Sequence, residues 1–301
     1  MAPSGVRVRA PAKVNLTLHV GVRRPDGFHE VDTLFQAIDL ADRVEVRWSD
    51  AGGGVTLDLD GPDLGPVEDN LAVRAAAAFR RAADLDRGVR IRLVKHVPAG
   101  AGLGGGSSDA AAVLRALDHL AGRPLPASVL RSLAGDLGSD VPFFLGDSPL
   151  ARGRGRGERL APCRPLPPAW LVLVLPPVHV ATGPAYEALA EARRGTSAPA
   201  PPADPDVGSW ASVLRSLHND FEPVVAAAHP RVAASLAMLR EVGAAPALLS
   251  GSGGACFGWG GREDAARAAA SDVEARLGWS ARPVRTLRAF PGVEPLDGAG
   301  G

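Results

Sequence analysis

Residues 98–109, Pro98-Ala99-Gly100-Ala101-Gly102-Leu103-Gly104-Gly105-Gly106-Ser107-Ser108-Asp109, decide the fold of this chain. They follow an alternating apolar segment (Val89, Ile91, Leu93) that reads as a strand, and they lead into residues 110–117, which read as a helix. So dense a run of glycine is costly inside either element, because glycine loses the most backbone entropy on folding. Its use lies in letting backbone N–H groups converge, and a helix start with free N–H groups and a positive dipole end favours an anion. Ser107, Ser108 and Asp109 offer cap-type oxygens at that boundary. The expected guest is a phosphate chain.

Three readings of the loop compete: a plain flexible turn, a dinucleotide fingerprint, and the nucleoside-triphosphate loop of a small-molecule kinase. Gly100, Gly102 and Gly105 satisfy G-x-G-x-x-G. That fingerprint needs an acidic residue at the end of a following strand, about twenty residues on, whereas Asp118 falls inside the helix. No Gly-Lys-Ser/Thr follows the glycines, which excludes a Walker loop. Any assisting lysine must come from elsewhere in the chain.

Composition narrows the class. With 301 residues, 46% hydrophobic and 22% charged, the chain reads as globular, large enough for one large or two ordinary domains. Its 33 basic and 33 acidic side chains cancel, so no net field draws it to nucleic acid or an anionic membrane. Cys163 and Cys256 are expected to be reduced thiols of a cytoplasmic protein. The first residues lack the apolar core of a signal peptide, and no stretch is long enough to span a membrane. The histidines show no metal-ligand spacing, so no protein metal site is expected.

Along the chain, Val14, Leu16, Leu18 and Val20 alternate with Lys13, Asn15, Thr17 and His19, as in a half-buried strand. Residues 44–48 and 55–59 read as a hairpin around Gly52–Gly54. Helices are expected over 70–83 and 128–137. The arginine- and glycine-rich residues 147–158 read as a solvated hairpin between two domains. A strand over 170–175 opens the second half, followed by a proline-rich loop over 196–206. Helices follow over 209–217, 224–228, 231–242 and 263–277, and the tail over 297–301 is expected to fray. A strand over 248–257 is interrupted by a second glycine turn, a pattern that marks a bulge or a close approach to a ligand.

Lys13 and Asn15 leave one face of their strand together. Lys13 reads either as an ordinary solvated lysine or as the missing amine. Asp140 lies between a helix-ending glycine and the apolar Pro142-Phe143-Phe144, and reads either as a turn residue or as a carboxylate that needs a nearby cation. Paired beside a triphosphate loop, the two would activate a hydroxyl: aspartate accepts its proton and the ammonium stabilises the emerging alkoxide. Asp26-Gly27-Phe28-His29 reads as a hairpin turn or as a base-binding corner, with a ring face and an imidazole hydrogen bond.

These segments occur in order with Asp69-Asn70-Leu71, Asn219-Asp220-Phe221-Glu222 and Ser250-Gly251-Ser252-Gly253. Together they resemble the GHMP kinase superfamily, and within it the branch acting on 4-diphosphocytidyl-2-C-methyl-D-erythritol. The resemblance spans residues 11–290 and implies an α+β kinase of two domains, 1–159 and 160–301, with the active site in the cleft between them. It implies transfer of the γ-phosphoryl group of ATP, with Mg²⁺, to the 2-hydroxyl of that substrate, in the non-mevalonate route to isoprenoid precursors. Lys13 and Asp140 match its catalytic pair. Asn70, Leu71, Lys95 and the loop from Pro98 to Ser108 match its ATP contacts. Asn15, Phe28, His29, Phe35, Thr182 and Tyr186 match its substrate contacts, with Phe28 and Tyr186 as the two rings that sandwich cytosine. Ser108, or failing it Asp109, would touch the metal. The expected partners are small molecules only, with the chain a monomer or weak homodimer. The chain departs from the pattern at Phe28, where tyrosine is commoner, and in an extra Arg-Gly step within residues 152–156. The rival readings are a superfamily kinase for homoserine or a mevalonate-like alcohol, and a non-catalytic nucleotide sensor.

Overall fold

The computed structural model describes residues 4–49, 53–194 and 206–296. The tail expected to fray and all but Asp206 of the proline-rich loop lie outside them, as does Gly52 of the expected hairpin turn.

Two long antiparallel strands, β1 (Gly5–Arg23) and β2 (His29–Ser49), frame the first sheet. The half-buried reading of β1 is corrected, because Lys13 and Asn15 are as buried as Val14 and Leu16 on the opposite face. A register shift between Asn15 and Thr17 then inverts the facing of the strand. Val14 and Leu16 thus pack into one apolar cluster, while Leu18 and Val20 pack into another.

The expected hairpin does not form. Strand β3 (Val55–Asp60) leads through α1 (Leu71–Ala82) to β4 (Gly88–Val94), and β4 inserts antiparallel to β2 and parallel to β3. Parallel neighbours need a crossover connection, which α1 supplies between β3 and β4, and the sheet gives its apolar stripe (Ala72, Ala75, Ala76, Phe79) a surface to cover. Next come α2 (Gly105–Leu120), α3 (Ala127–Leu137) and α4 (Val141–Leu145). Strands β5 (Leu150–Gly155) and β6 (Arg159–Pro162) follow, so the arginine-glycine run is part of the sheet, with β5 paired to β2. Arg152 is buried there because Asp32 receives it at 2.5 Å.

The second half holds β7 (Trp170–Leu175), α5 (Thr182–Ala192), α6 (Trp210–Arg215), β8 (His218–Asn219), α7 (Glu222–Ala228) and α8 (Pro230–Glu241). It closes with β9 (Ala247–Leu249), β10 (Cys256–Gly261), α9 (Glu263–Leu277), β11 (Ser280–Arg285) and β12 (Val293–Pro295). The sequence missed α5, β8, β11 and β12, and it read the β9–β10 hairpin as one broken strand. The second sheet runs β11-β7-β10-β9, all antiparallel. Strands β8 and β12 return to flank β1 in the first sheet. An apolar layer of Val14, Leu16, Leu34 and Ile38 against Leu171, Leu173, Leu248 and Phe257 joins the two sheets. The glycine loop lies beside that junction.

Candidate active site

Helix α2 begins inside the glycine run rather than after it. Gly104, at φ +70°, is the N-cap, and Ser107 and Ser108 belong to the first turn instead of capping it. The N–H groups of Gly105, Gly106 and Ser107 precede the first intrahelical bond, Ser108 N–H to the Gly104 carbonyl, at the positive end of the helix. Leu103 is buried and anchors the loop, and its carbonyl accepts the Lys13 N–H at 2.9 Å, tying β1 to the phosphate cradle. The second glycine turn approaches this loop. Ala255 N–H donates to the Ala101 carbonyl at 3.1 Å, and Ser250 Oγ donates to the Gly102 carbonyl at 3.2 Å. A Cβ on Gly102, which has φ +83°, would fall on the Ser250 carbonyl oxygen, and one on Gly253 would fall on the Ala101 backbone. The glycines of both turns therefore permit backbone to lie on backbone.

One cleft of about 690 Å³ runs from this cradle toward the β1–β2 turn. At the cradle end, Lys13 Nζ lies 2.6 Å from Asn15 Oδ1 and 3.5 Å from Asp140 Oδ2. Asn15 Nδ2 in turn donates to Thr33 Oγ1 at 2.7 Å, which orients the amide oxygen toward the lysine. Asp140 precedes α4 and makes no capping bond, so its carboxylate is left to the cleft. Phe35 is buried beneath the lysine, its ring centroid 5.4 Å from Nζ.

At the far end stand Phe28, His29 and Tyr186, joined by Phe221. The turn that carries Phe28 is closed by Arg24 N–H to the Phe28 carbonyl (2.6 Å) and by the Asp26 carboxylate on the Phe28 N–H (3.1 Å). His29 stacks on Tyr186 at 4.8 Å, and Tyr186 meets the edge of Phe221 at 4.7 Å. Burial, helped by Arg23 and Arg193, lowers the His29 pKa and keeps its ring neutral near pH 7. Burial, with Asp140 nearby, pushes the Tyr186 phenol up to about 12. Both rings expected to hold the base line this end of the cleft. His29, not Phe28, faces the tyrosine ring, while Phe28 carries the Arg156 guanidinium on its face at 4.8 Å. Thr182 starts α5 and accepts a hydrogen bond from Ser252 Oγ at 3.2 Å, joining the two ends of the cleft.

The remaining nucleotide candidates sit around the start of α2. Asn70 caps α1 by accepting the Ala72 N–H at 2.9 Å, and Leu71 lies over Gly106. Lys95 does not present its amine to the cleft. Nζ is 2.5 Å from Asp42 Oδ2 and 2.7 Å from Asp109 Oδ2, with all three side chains nearly sealed from solvent. Burial lowers the lysine pKa, but the two carboxylates outweigh it and the net shift is upward. Burial raises Asp109 to about 7, against the pull of Lys95 and with a push from Asp42. Asp42 Oδ1 also accepts the His96 and Val97 N–H groups, so this triad fixes the strand end that delivers the glycine loop.

Profiles of known families match the chain twice: "GHMP kinases N terminal domain" over residues 70–147 and "GHMP kinases C terminal" over 187–278. A 4-diphosphocytidyl-2-C-methyl-D-erythritol kinase of Anaeromyxobacter dehalogenans (strain 2CP-C) is 47% identical, with 95% of this chain and 92% of that protein covered. The chain belongs to the 4-diphosphocytidyl-2-C-methyl-D-erythritol kinase family, within the GHMP kinases. The family member of Citrifermentans bemidjiense is 41% identical, covering 94% of this chain and 99% of its own. A crystal structure of a 4-(cytidine 5'-diphospho)-2C-methyl-D-erythritol kinase superposes with a TM-score of 0.77 at 39% identity, covering 93% and 98% of the two chains.

For a member of this kinase family, the sequence left several residues of the site unread. The Asn219–Glu222 segment is a set of staples. Asn219 Nδ2 donates to the Leu249 and Gly251 carbonyls, and Asp220 receives the Val20 N–H. Phe221 lines the cleft and Glu222 accepts the Leu249 N–H. Asp42 carried a readable signal, sharing a parity with Leu40, Val44 and Val46 that marks a buried carboxylate in need of a cation.

Proposed function

We propose that this chain transfers the γ-phosphoryl group of ATP to the 2-hydroxyl of 4-diphosphocytidyl-2-C-methyl-D-erythritol, releasing ADP, in the non-mevalonate route to isoprenoid precursors. Membership of the kinase family and the GHMP profiles support the activity. One observation carries the site assignment: the Lys13–Asp140 pair stands at the cradle end of the same cleft whose far end holds Phe28, His29 and Tyr186. A cytidine seated on those rings directs the polyol toward the carboxylate.

In this reading Asp140 Oδ accepts the proton of the 2-hydroxyl as that oxygen bonds to the γ-phosphorus. The bond from phosphorus to the β–γ bridging oxygen breaks, and ADP leaves with that electron pair. Lys13, oriented by Asn15, stabilises the charge that develops between attacking oxygen and phosphoryl group. The first turn of α2 and the loop from Pro98 to Ser108 hold the ATP phosphates, with Asn70, Leu71 and the backbone near Lys95 toward the nucleoside. Asn15, Phe35 and Thr182 border the substrate. The residues at the start of α2 suit Mg²⁺ carried in with ATP, since Ser108 Oγ and Asp109 Oδ1 are buried with no partner among the described residues. When bound there, the ion neutralises phosphate charge. No helix among the described residues is long and apolar enough to cross a membrane. The reading takes the chain to act on small molecules in the cytoplasm, as a monomer or weak homodimer.

The test is a coupled ADP-release assay with the cytidine diphosphate substrate, homoserine and mevalonate in parallel. Turnover confined to the first supports the reading. Turnover of either other alcohol, or of none, refutes it.

A further inference from the structure

The β5–β6 hairpin carries four arginines whose fates differ. Arg152 and Arg154 pair with Asp32, and Arg159 pairs with Glu30 at 2.6 Å. The Arg156 guanidinium meets no carboxylate or carbonyl among the described residues, lies over the Phe28 ring, and lines the cleft. Its position is built rather than incidental. Gly155 at φ +78° and Gly157 at φ +106° shape the tip, and Gly157 N–H closes it on the Arg154 carbonyl at 3.1 Å. Glu30 receives the Gly155 N–H at 3.1 Å, which ties the tip to the segment that presents Phe28 and His29.

The proposed substrate needs a cation here. With the base at Phe28, His29 and Tyr186 and the hydroxyl at Asp140, the diphosphate linking them must cross the middle of the cleft. Lys13 is committed to Asn15 and Asp140, and the glycine cradle is reserved for ATP. A planar guanidinium with unclaimed N–H donors suits two adjacent phosphates, and its ring contact holds it beside the base at little entropic cost. Resting on the functional reading above, we propose that Arg156 is a substrate-binding residue that reads the diphosphate of the cytidine ligand. It would thereby set the preference for a nucleoside diphosphate over a bare nucleoside.

The experiment compares wild type, Arg156→Lys and Arg156→Ala, checked for equal unfolding midpoints. Calorimetric Kd values are measured for CDP and for cytidine, with KM and kcat measured separately. Arg156→Ala is expected to weaken CDP at least about tenfold, the effect of losing a hydrogen bond to a charged group. Cytidine affinity and the KM for ATP stay within twofold, and Arg156→Lys recovers part of the loss. Equal weakening of CDP and cytidine, or no change in either, overturns the proposal. Wild type that binds CDP but fails to phosphorylate the cytidine substrate refutes the functional reading instead, while the CDP-to-cytidine ratio still decides the role of Arg156.

Discussion

Replacing Lys95 with methionine tests whether the triad beneath the phosphate cradle rests on its one cation. Nζ lies 2.5 and 2.7 Å from two carboxylates, and the three side chains are at most 4% exposed. Methionine fills the volume but leaves Asp42 and Asp109 buried together without a positive charge. Breaking a buried ion pair by removing one partner costs about 3–5 kcal/mol, a large part of a typical total of about 5–15 kcal/mol. The sign with pH follows from Asp109. Its folded pKa of about 7 stands above the ordinary 3.8. The folded chain therefore holds an extra proton between those values, and wild-type stability falls as pH rises through that window. Without Lys95 the Asp109 pKa rises further, so the deficit of the variant grows above pH 7 by up to about 1.4 kcal/mol per pH unit. Denaturant unfolding followed by tryptophan fluorescence at pH 6 and pH 8 measures both effects. A loss below about 1 kcal/mol at pH 8, against the expected 3–5, would show that the triad is not an electrostatic unit. So would a deficit that shrinks with rising pH. Adding Asp109→Asn to Lys95→Met should restore part of the loss, because only one buried carboxylate then remains.

The other predictions concern chemistry and loop contact. Asp140→Asn should lower kcat about 10²–10⁴-fold, the range for a proton-transfer group, with the KM for ATP unchanged; near-normal turnover removes Asp140 from the mechanism. Phe28→Ala should weaken the cytidine substrate by about 1–3 kcal/mol, read as a rise in KM, and an unchanged KM places the base elsewhere. Gly102→Ala puts a side chain at φ +83° against the Ser250 carbonyl. It should cost about 2–4 kcal/mol of stability from the left-handed backbone and the overpacking together. The KM for ATP should rise with it, and a wild-type unfolding midpoint would refute the interlock of the two turns.

Local pattern made much of the scaffold legible. The stripe Leu71, Ala75, Ala78 and Phe79 marks a helix without tertiary information, although Ala76 is buried where Ala78 is only half-buried, and α9 ends where Gly278 takes φ +69°. The β3–β4 pairing was hidden because alternation specifies a strand but not its neighbour, and the helix between 60 and 88 allows the parallel choice only once it has a sheet to cover. The facing of β1 was hidden for a related reason. One register shift between Asn15 and Thr17 exchanges the two faces, and period-2 reasoning cannot see an inserted residue.

At the site, the residues that sequence separates most widely are those that only folding could join. Lys13 and Asp140 each admitted an ordinary reading, and their 3.5 Å approach depends on the glycine loop lying between β1 and α4. The second glycine turn could be read as a close approach, but not to what. That the neighbour is the first glycine loop means the cradle is not a free-standing nest. Its shape is held from below by Lys95, Asp42 and Asp109 and from the side by Ser250, Gly253 and Ala255. The two supports come from different sheets, with Asp42 on β2 and the second turn between β9 and β10. Any displacement of one sheet against the other must therefore alter the phosphate cradle and the Lys13–Asp140 approach together, because the Leu103 carbonyl binds the Lys13 N–H directly. That coupling makes the placement of the nucleotide and the orientation of the reacting hydroxyl a single mechanical property of the fold.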